Sequence, residues 1–418
     1  MNKKRFSVYE HSLVNDKGIF ITRYLIVIKE DRKIIGWTNF HKYISENVKD
    51  LRPIQRNYKN RCIYICKFLN YCFFEKQCIK KISDLTIPMV EDFFYDYSLQ
   101  TNRVIRDTTV KTVLDYISDF LCELAKKKVV KFKESDIYEN KDIYIKKQHK
   151  FISKRVPKFK VFYSNKKGYE IFRDIPIGAF LIIADVISKK HIDILMLVIL
   201  SAFAGLRPSE SCNVITEDSP LGKGILIDYL DGYIQCITID ISEERQLRKD
   251  LKKVGGIKKE RYQCVFTPFM DAFYECYKLY LEKNKCKRDV NYMPLTPDSR
   301  GNAMTYDVYR KRFDQAINDA IPVMLASDDP EVVFYGNKLL SRKIAPHIFR
   351  HFFSMMLVLA GCTIDEIMFW RGDASTESAA TYIAHKSEIE KKFNKVKGQI
   401  FKFDLCKAEE MYGKNRHK

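Results

Sequence analysis

A basic segment that contains no acidic residue divides this sequence into two parts. Between Tyr144 and Gly168, nine residues are Lys or Arg and none is Asp or Glu. A run of like charges is solvated rather than buried, so residues 144–168 are expected to form a basic linker between separately folded segments. The chain of 418 residues is also longer than one core usually organises. We therefore expect two or three domains.

The hydrophobic pattern before this linker changes from a strand-like to a helical period. Residues 1–48 contain short apolar runs, such as 24–28, which predict a small β-rich segment. From 50 to 143, apolar residues recur at intervals of three and four positions. The stripe within 110–124 is the clearest example, and it predicts one face of an amphipathic helix. We expect a helical bundle at 50–143.

The largest domain is predicted after the linker. Residues 169–395 begin with apolar helical segments, pass through a β-like section near 224–239 and then return to a helical period. A tail at 396–418 follows. The chain as a whole is therefore expected to be mainly α-helical, with a small β-sheet in its largest domain and a β-rich piece at its N-terminus.

The charge balance indicates a polyanionic partner. The formal net charge of +20 favours nucleic acid ahead of a membrane surface. The longest apolar run without charge, 194–206, has 13 residues, whereas a membrane-spanning helix needs about 20. No apolar signal sequence follows the N-terminus, and the twelve cysteines lie in apolar patterns without metal-binding spacing. We expect a cytoplasmic protein with free thiols, no bound metal and no membrane association.

Three short motifs in the largest domain combine guanidinium, imidazole and phenol groups. They are Gly205-Leu206-Arg207 with Glu210, His347 with Arg350 and His351, and Tyr382 some distance after Gly361. Positions three apart share one face of a helix, so the imidazole of His347 is expected beside the guanidinium of Arg350. Both lie near a predicted helix N-terminus, which favours anions. None of the three motifs specifies a function alone.

The order and spacing of these motifs resemble those of the tyrosine recombinase (phage integrase) family. That family has a Gly-Leu-Arg box ending in Glu, then His-x-x-Arg-His, a Gly eleven residues after that Arg, and a nucleophilic Tyr about thirty residues after it. Here Gly361 and Tyr382 follow Arg350 by 11 and 32 residues. The resemblance covers about 169–395 with specific motifs and extends more loosely over 50–140.

The resemblance implies a fold and a reaction on DNA. Residues 169–395 would be the catalytic domain, mainly α with a small antiparallel β-sheet, and 50–143 would be a helical core-binding domain. The Tyr382 oxygen would attack a DNA phosphate and leave a 3′-phosphotyrosine, with no ATP, metal or other cofactor. Arg207 and Arg350 would hold the phosphate oxygens on which charge builds.

The resemblance also implies roles for an imidazole and a lysine. His347 would bind the phosphate or help accept the tyrosine proton. The family uses a lysine on a β-hairpin as general acid for the leaving 5′-oxygen, and residues 252–261 would suit such a hairpin, with a Gly-Gly turn. Lys253, at the end of the incoming strand, is the first candidate and Lys258 the second.

One position departs from the family pattern. The family has His or Trp twenty-three residues after the second arginine, where this chain has Asp373. An ionised carboxylate cannot donate a hydrogen bond to a phosphate and would repel it. Either Asp373 faces away and orients a neighbour, or Trp370 takes over its role, or the reaction is slower. Glu210 would orient the basic residues or else be a simple surface carboxylate, and His351 would support the site.

The resemblance further implies contacts with double-stranded DNA and with other subunits. The family acts as a tetramer on two DNA sites, and the free protein is expected to be a monomer. The apolar tail segment 400–405 would dock on a neighbouring subunit or fold back on its own domain. Residues 1–48 would be an extra DNA-binding module or a packing appendage. The expected DNA-contacting residues are Lys154, Arg155, Lys158, Lys160, Lys258, Lys259 and Arg261.

Two other functions remain open on the sequence. One is a DNA-binding regulator or accessory protein of the same fold that no longer cuts DNA, which the carboxylate of Asp373 supports. The other is a type IB-like topoisomerase with the same chemistry, which would act without defined paired sites. The complete set of two arginines, histidine and tyrosine favours a site-specific recombinase of bacterial, phage or mobile-element origin.

Overall fold

The computed structural model describes the chain in eight stretches, which are residues 4–14, 20–31, 33–44, 58–98, 107–145, 150–161, 175–250 and 252–373. The chain divides at residue 171 into two compact units. Each unit has a hydrophobic core of its own.

The first unit begins with a three-stranded antiparallel sheet. Its strands, in spatial order, are β1 (Arg5–Val14), β2 (Phe20–Glu30) and β3 (Lys33–Trp37). Alternation along the strands turns Phe6 and Ile26 into the core that the sheet shares with the helices after it. The N–H of Phe6 also donates to Asn70 Oδ1 at 2.6 Å. The β-rich N-terminal piece is confirmed, and it packs on the helical part of its unit.

Helices form the rest of the core of the first unit. They are α1 (Tyr58–Asn70), α2 (Ile87–Ser98), α3 (Asp107–Lys126) and the single turn α4 (Glu134–Ile137). Helix α3 buries the apolar stripe that its sequence predicts, which consists of Val110, Val113, Leu114, Ile117, Phe120, Leu121 and Leu124. Burial of this stripe removes the apolar side chains from water and fixes the helix in the bundle.

Part of the basic segment is a β-strand paired with the strand before it, which differs from the expected solvated linker. Strand β4 (Tyr138–Ile145) pairs antiparallel with β5 (Lys150–Pro157). After β5, Phe159 is buried in the core of the first unit, and the N–H of Lys158 donates to Ile137 O at 2.8 Å. Strand geometry explains the difference, because it lets the backbone pair while charged side chains on the outer face stay in water.

The second unit is built around helix α6 (Leu195–Phe203), every residue of which is buried. A helix that is apolar on all sides needs protein on all sides. Its neighbours are α5 (Ile177–Lys190), α8 (Met270–Lys283) and α11 (Ile348–Leu359). This arrangement buries α6 along its whole length in the core of the second unit.

A small antiparallel sheet and four further helices complete the described part of the second unit. The strands, in spatial order, are β6 (Ile225–Leu230), β7 (Tyr233–Ile241) and β8 (Arg261–Cys264). The helices are α7 (Pro208–Ser211), α9 (Tyr306–Leu325), α10 (Pro330–Ser341) and α12 (Ile364–Arg371). The predicted fold class, mainly α with a small antiparallel sheet, is confirmed.

Two further sequence features can be checked in the described stretches. No helix there is long and apolar enough to cross a membrane. The cysteines there are free thiols, and most are buried or half-buried.

Candidate active site

The chain turns sharply between α6 and α7 and thereby presents Arg207. Gly205 has a φ of +65°, in the left-handed region that favours glycine. A Cβ at this position would lie 2.5 Å from two ring carbons of Phe353. Leu206 is buried, and Arg207 is the N-cap residue of α7, with Pro208 at the first helical position. The Gly-Leu-Arg sequence therefore directs one guanidinium away from the core.

We expect Gly205→Ala to lower the free energy of unfolding of the second unit by about 3 kcal/mol, because strain and steric overlap add. The control is Gly232→Ala. Gly232 also has a positive φ, +83°, but no atom lies within 4 Å of the place that a Cβ would take there, so only the backbone cost of about 1 kcal/mol is expected. Urea denaturation of both variants measures the difference. Equal losses would contradict a role for packing against Phe353.

Helix α11 carries the second arginine in an almost completely buried position. Arg350 is only 1% exposed. Its guanidinium donates to Gly205 O, to Arg371 O at 3.0 Å and to Asp373 Oδ1 at 2.7 Å. Burial, followed by the charges of Arg207 and Arg371, lowers the pKa of Arg350. The side chain remains a cation near neutral pH and is held rigidly by acceptors on two other segments.

Asp373 joins the guanidiniums of the site. Its Oδ1 accepts from Nη2 of Arg207 and from Nη2 of Arg350, each at 2.7 Å. Its Oδ2 lies 2.8 Å from Arg371 Nε. Gly372 caps α12 in the left-handed conformation, at φ 59° and ψ 35°, and so turns Asp373 inward. The alternative that Asp373 faces away from the arginines is therefore wrong.

Trp370 packs beside this cluster. Its ring contacts Phe266 edge-on, with a centroid distance of 5.1 Å. Its carbonyl accepts from Gln263 Nε2 at 2.7 Å. These contacts attach the end of α12 to β8, while Asp373 contacts the arginines.

Glu210 is buried with 0% exposure and holds four donors. Its Oε1 accepts from Arg207 Nη1 at 3.0 Å and from the Lys258 N–H at 3.1 Å, and its Oε2 accepts from the Arg207 N–H at 3.1 Å and from Arg261 Nη2 at 3.2 Å. Burial opposes ionisation, but Arg261 and Arg207 outweigh it and lower the pKa of Glu210. Glu210 is thus not a simple surface carboxylate, and it orients Arg207.

His347 opens α11 and lies beside the arginines. Its ring meets that of His351 edge-on at a centroid distance of 4.9 Å. The residue is exposed to solvent, yet neighbouring protein atoms partly desolvate the ring, and the charges of Arg350 and Arg207 disfavour its protonated form. Together these effects lower the pKa of His347 to about 4. The imidazole is therefore neutral at pH 7 and keeps a free electron pair, although the same cations make it a weaker base than a free histidine.

The pKa of His347 makes a prediction for acid stability. The folded value of about 4 lies below the ordinary value of about 6.5, so unfolding takes up a proton between these pH values. This contribution to stability is complete above about pH 6.5 and is lost as the pH falls towards 4. We expect the Tm of His347→Gln to fall less than that of wild type over this range. Parallel curves for the two proteins would contradict the prediction.

The structure places the two candidate lysines differently. Lys253 is not at the end of a strand, because β7 ends at Ile241, and its Nζ lies 3.1 Å from Glu244 Oε1. The Gly-Gly pair is not a hairpin turn, since Gly255 packs against the backbone of Ser209. Residues 252–260 do lie in the connection between the antiparallel strands β7 and β8, but the tight Gly-Gly turn is wrong, because this backbone is held against α7 instead.

Lys258 is attached to the site by its backbone. Its N–H donates to Glu210 Oε1, the oxygen that also binds Arg207. Its side chain is exposed. Of the two candidates, Lys258 is the one whose main chain belongs to the arginine cluster.

The sequence reasoning missed a second buried guanidinium of the site, that of Arg371, and its support. Arg371 is 5% exposed, and its Nη1 donates to Ser354 Oγ at 2.7 Å. Ser354 in turn donates to Arg350 O at 2.9 Å. An available signal was the Arg-Gly-Asp order at the end of α12, where glycine ends the helix and an arginine occupies its last turn.

The cluster carries more positive than negative charge. Four guanidiniums, of Arg207, Arg261, Arg350 and Arg371, surround the carboxylates of Glu210 and Asp373, which leaves two positive charges in excess. Guanidiniums offer planar, paired donors that match the oxygens of a phosphate. The arrangement suits an oxyanion. Within the described stretches, no three His, Cys, Asp or Glu residues are grouped so as to hold a metal ion.

Of the other residues expected to act on or contact DNA, those that the structure describes lie outside the arginine cluster or at its edge. Tyr382 lies outside the described residues. In the first unit, the side chains of Lys154, Lys158 and Lys160 are exposed. Arg155 is engaged, because its guanidinium lies 4.1 Å from the ring centroid of Tyr138 and pairs with a neighbouring glutamate. In the second unit Lys258 and Lys259 are exposed, whereas Arg261 is bound to Glu210.

Similarity to known proteins is found in solved structures. No protein-family model and no curated protein matches the sequence. The Tn1549 transposon integrase in complex with transposon right end DNA has a TM-score of 0.50 at 11% identity, over 87% of this chain and 99% of that chain. The XerH site-specific recombinase bound to difH substrate has a TM-score of 0.45 at 13% identity, over 79% and 77% of the two chains.

A lambda integrase dimer bound to a core site has a TM-score of 0.43 at 12% identity, over 79% of this chain and 89% of that chain. At this identity, the likeness to the transposon integrase is a likeness of fold. This likeness of fold agrees with the family resemblance that the order and spacing of the motifs in the largest domain indicate. The chain has the fold of the tyrosine recombinases.

Proposed function

We propose that this protein is a site-specific DNA recombinase, or integrase, that cuts and rejoins double-stranded DNA through a 3′-phosphotyrosine intermediate. The observation that carries the proposal is a single oxyanion position between two arginines. Nη2 of Arg207 and Nη2 of Arg350 both donate to one carboxylate oxygen, each at 2.7 Å. A non-bridging phosphate oxygen has the same charge and the same need for donors.

The proposed reaction is an in-line displacement at phosphorus. The Tyr382 oxygen attacks, the bond from phosphorus to the 5′-oxygen breaks, and the phenol proton passes to neutral His347. Arg207 and Arg350 hold the negative charge that builds on the phosphate oxygens. The new phosphotyrosine keeps the energy of the broken bond, so rejoining by a second 5′-hydroxyl needs neither ATP nor metal.

Lys258 is the proposed general acid. The departing 5′-oxygen needs a proton, and an ammonium beside it can supply one. The main chain of Lys258 is bound to Glu210, which fixes its position relative to Arg207. Lys253 is instead paired with Glu244. Lys258 is therefore the stronger candidate for the general acid, and Lys253, the first candidate from sequence, is the second.

DNA binding and assembly are further parts of the proposal. The net charge of +20 and the exposed Lys154, Lys158 and Lys160 suit the phosphates of a duplex, with affinity that falls as salt rises. The core-binding role of 50–143 and the catalytic role of 169–395 follow from the same resemblance. A tetramer on two DNA sites is expected during recombination.

One observation favours a second candidate, a DNA-binding regulator of this fold that does not cut. Asp373 fills the oxyanion position between the arginines. A protein that never receives a phosphate there could retain such a carboxylate permanently. The presence of Arg207, Arg350 and His347 around one position favours the enzyme.

Covalent trapping on DNA tests the proposal. The full chain is incubated with a labelled library of DNA from around its own gene, with nicks that prevent rejoining, and is then run on a denaturing gel. We expect a retarded protein–DNA band with wild type and none with Tyr382→Phe, in the presence of a metal chelator as well as without it. Binding on native gels with no covalent band under any condition would support the regulator instead.

A further inference from the structure

We propose that Asp373 is a built-in competitor for the phosphate, which a DNA phosphate must displace from Arg207 and Arg350 before strand transfer. The inference rests on the proposed function, since it takes the ligand of the arginine pair to be a DNA phosphate. It goes beyond that function because it assigns a gating role to a carboxylate where the resemblance leads one to expect a hydrogen-bond donor.

Burial and existing hydrogen bonds restrict how an anion can reach Nη2 of Arg350. Arg350 is 1% exposed, and the side chain of Asp373 is 9% exposed. The guanidinium of Arg350 donates one hydrogen bond to the carbonyl of Gly205, one to the carbonyl of Arg371 and one to Asp373 Oδ1. A phosphate oxygen can therefore reach this guanidinium where the carboxylate oxygen now lies. A buried donor cannot serve two anions in one place.

Charge also makes the two anions exclude each other. The carboxylate and a phosphodiester each carry one negative charge, and two such groups at the same position would repel each other. With Asp373 in place, the carboxylate already satisfies Nη2 of Arg207 and of Arg350. Displacement releases both donors together, because they share one oxygen. The exchange of one anion for another leaves the charge of the arginine pair balanced.

The displaced carboxylate has a place to go. Oδ2 of Asp373 lies 2.8 Å from Arg371 Nε, a separate contact that can persist when Oδ1 leaves. Asp373 also borders an open cleft of about 410 Å³ that Lys259 and Arg261 line. Rotation towards this cleft would keep the carboxylate among cations. Gly372, in the left-handed conformation, precedes it and provides a backbone position that can turn.

Binding of inorganic phosphate tests the inference without any DNA chemistry. Isothermal titration compares the full chain with Asp373→Asn, which keeps the shape of the side chain but removes its charge. Removal of a competing charged acceptor from two guanidiniums should tighten phosphate binding by about tenfold or more. Affinity that is unchanged or weaker would overturn the proposal, because Asp373 would then position the arginines rather than compete for them.

Matched variants distinguish competition by Asp373 from a general effect of removing a negative charge. Asp365→Asn removes a charge from the same cleft, but from a carboxylate other than the one bound to Arg207 and Arg350, and a similar gain in that variant would overturn the proposal. The gain should disappear in Asp373→Asn combined with Arg350→Gln. Near-UV circular dichroism checks folding, and Asp373→Ser replaces the first variant if that one does not fold.

All these proteins can carry Tyr382→Phe, since phosphate binding needs no nucleophile. If Asp373→Asn binds phosphate more tightly but the protein with Tyr382 forms no covalent DNA adduct, Asp373 competes for phosphate and the proposed recombinase function is wrong. If an adduct forms but Asp373→Asn shows no gain in phosphate affinity, the recombinase function stands and the competition is wrong.

Discussion

Arg350→Gln is expected to reduce the rate of covalent adduct formation by about 10³-fold, because it removes a preorganised guanidinium from the developing phosphate charge. It should also lower the Tm. The buried guanidinium donates to the carbonyls of Gly205 and Arg371 and to Asp373, and glutamine can replace only part of these contacts. The adduct is measured on denaturing gels, with protein that circular dichroism shows to be folded.

Arg312→Gln is the matched control for this loss. Arg312 also makes a two-point contact with a carboxylate, of Asp193, at 2.7 and 2.9 Å, but it lies outside the cluster. Its replacement should leave adduct formation within about twofold of wild type, as for a partly exposed pair. Near-wild-type cleavage by a folded Arg350→Gln protein would contradict the role given to the arginine pair.

Glu210→Ala is expected to lower the free energy of unfolding of the second unit by about 3–5 kcal/mol, because loss of one member of a buried ion pair leaves the other uncompensated. Glu210 has 0% exposure and binds Arg207 and Arg261. The N–H of Lys258 would also lose its acceptor. Urea denaturation, followed by a signal from the second unit, measures the loss.

The stabilisation by Glu210 also has a definite pH dependence. Its folded pKa is below the ordinary value, so its contribution is present above about pH 4.5 and is lost as the pH falls through the folded pKa. Glu243→Ala is the control, since this carboxylate is 76% exposed and 3.8 Å from its arginine. A change of about 0.5 kcal/mol or less is expected there. An equally small change in Glu210→Ala would show that Arg207 needs no such support.

The helical period of α3 and the positions of Arg207, His347 and Arg350 could be predicted from sequence because they leave local signals. The stripe of α3 has the helical period, and the Gly-Leu-Arg turn needs a glycine at positive φ. The motif spacing placed His347 and Arg350 on one helix face. These are features of short segments, and short segments can be read without knowing the tertiary structure.

What could not be predicted depends on contacts between distant segments. The direction in which Asp373 points follows from its meeting with Arg207, which is 166 residues away. The Gly-Gly pair looked like a hairpin turn, but Gly255 packs on the backbone of α7. The Arg-Gly-Asp order places Arg371 at the end of a helix, but its burial depends on contacts with Ser354 and Asp373 that this order does not reveal. Long-range pairing of charges and close backbone packing determine these outcomes.

The basic segment shows the same limit in the first unit. Its charge predicted solvation, and its exposed lysines agree with that prediction. Its pairing with β4 depends on a partner strand that the charge pattern does not reveal. The segment is both paired and solvated, because in a strand the side chains on one face can stay in water while the backbone is hydrogen-bonded to the neighbouring strand.

Covalent attachment of Tyr382 to DNA is the step on which the proposed function most directly depends. The trapped adduct can be digested with nuclease and protease, and the peptides analysed by mass spectrometry. We predict that the remaining nucleotide is attached through its 3′-phosphate to the peptide that contains Tyr382, and that Arg350→Gln reduces the yield of this peptide. A nucleotide on any other residue, or attached through a 5′-phosphate, would contradict the proposed function.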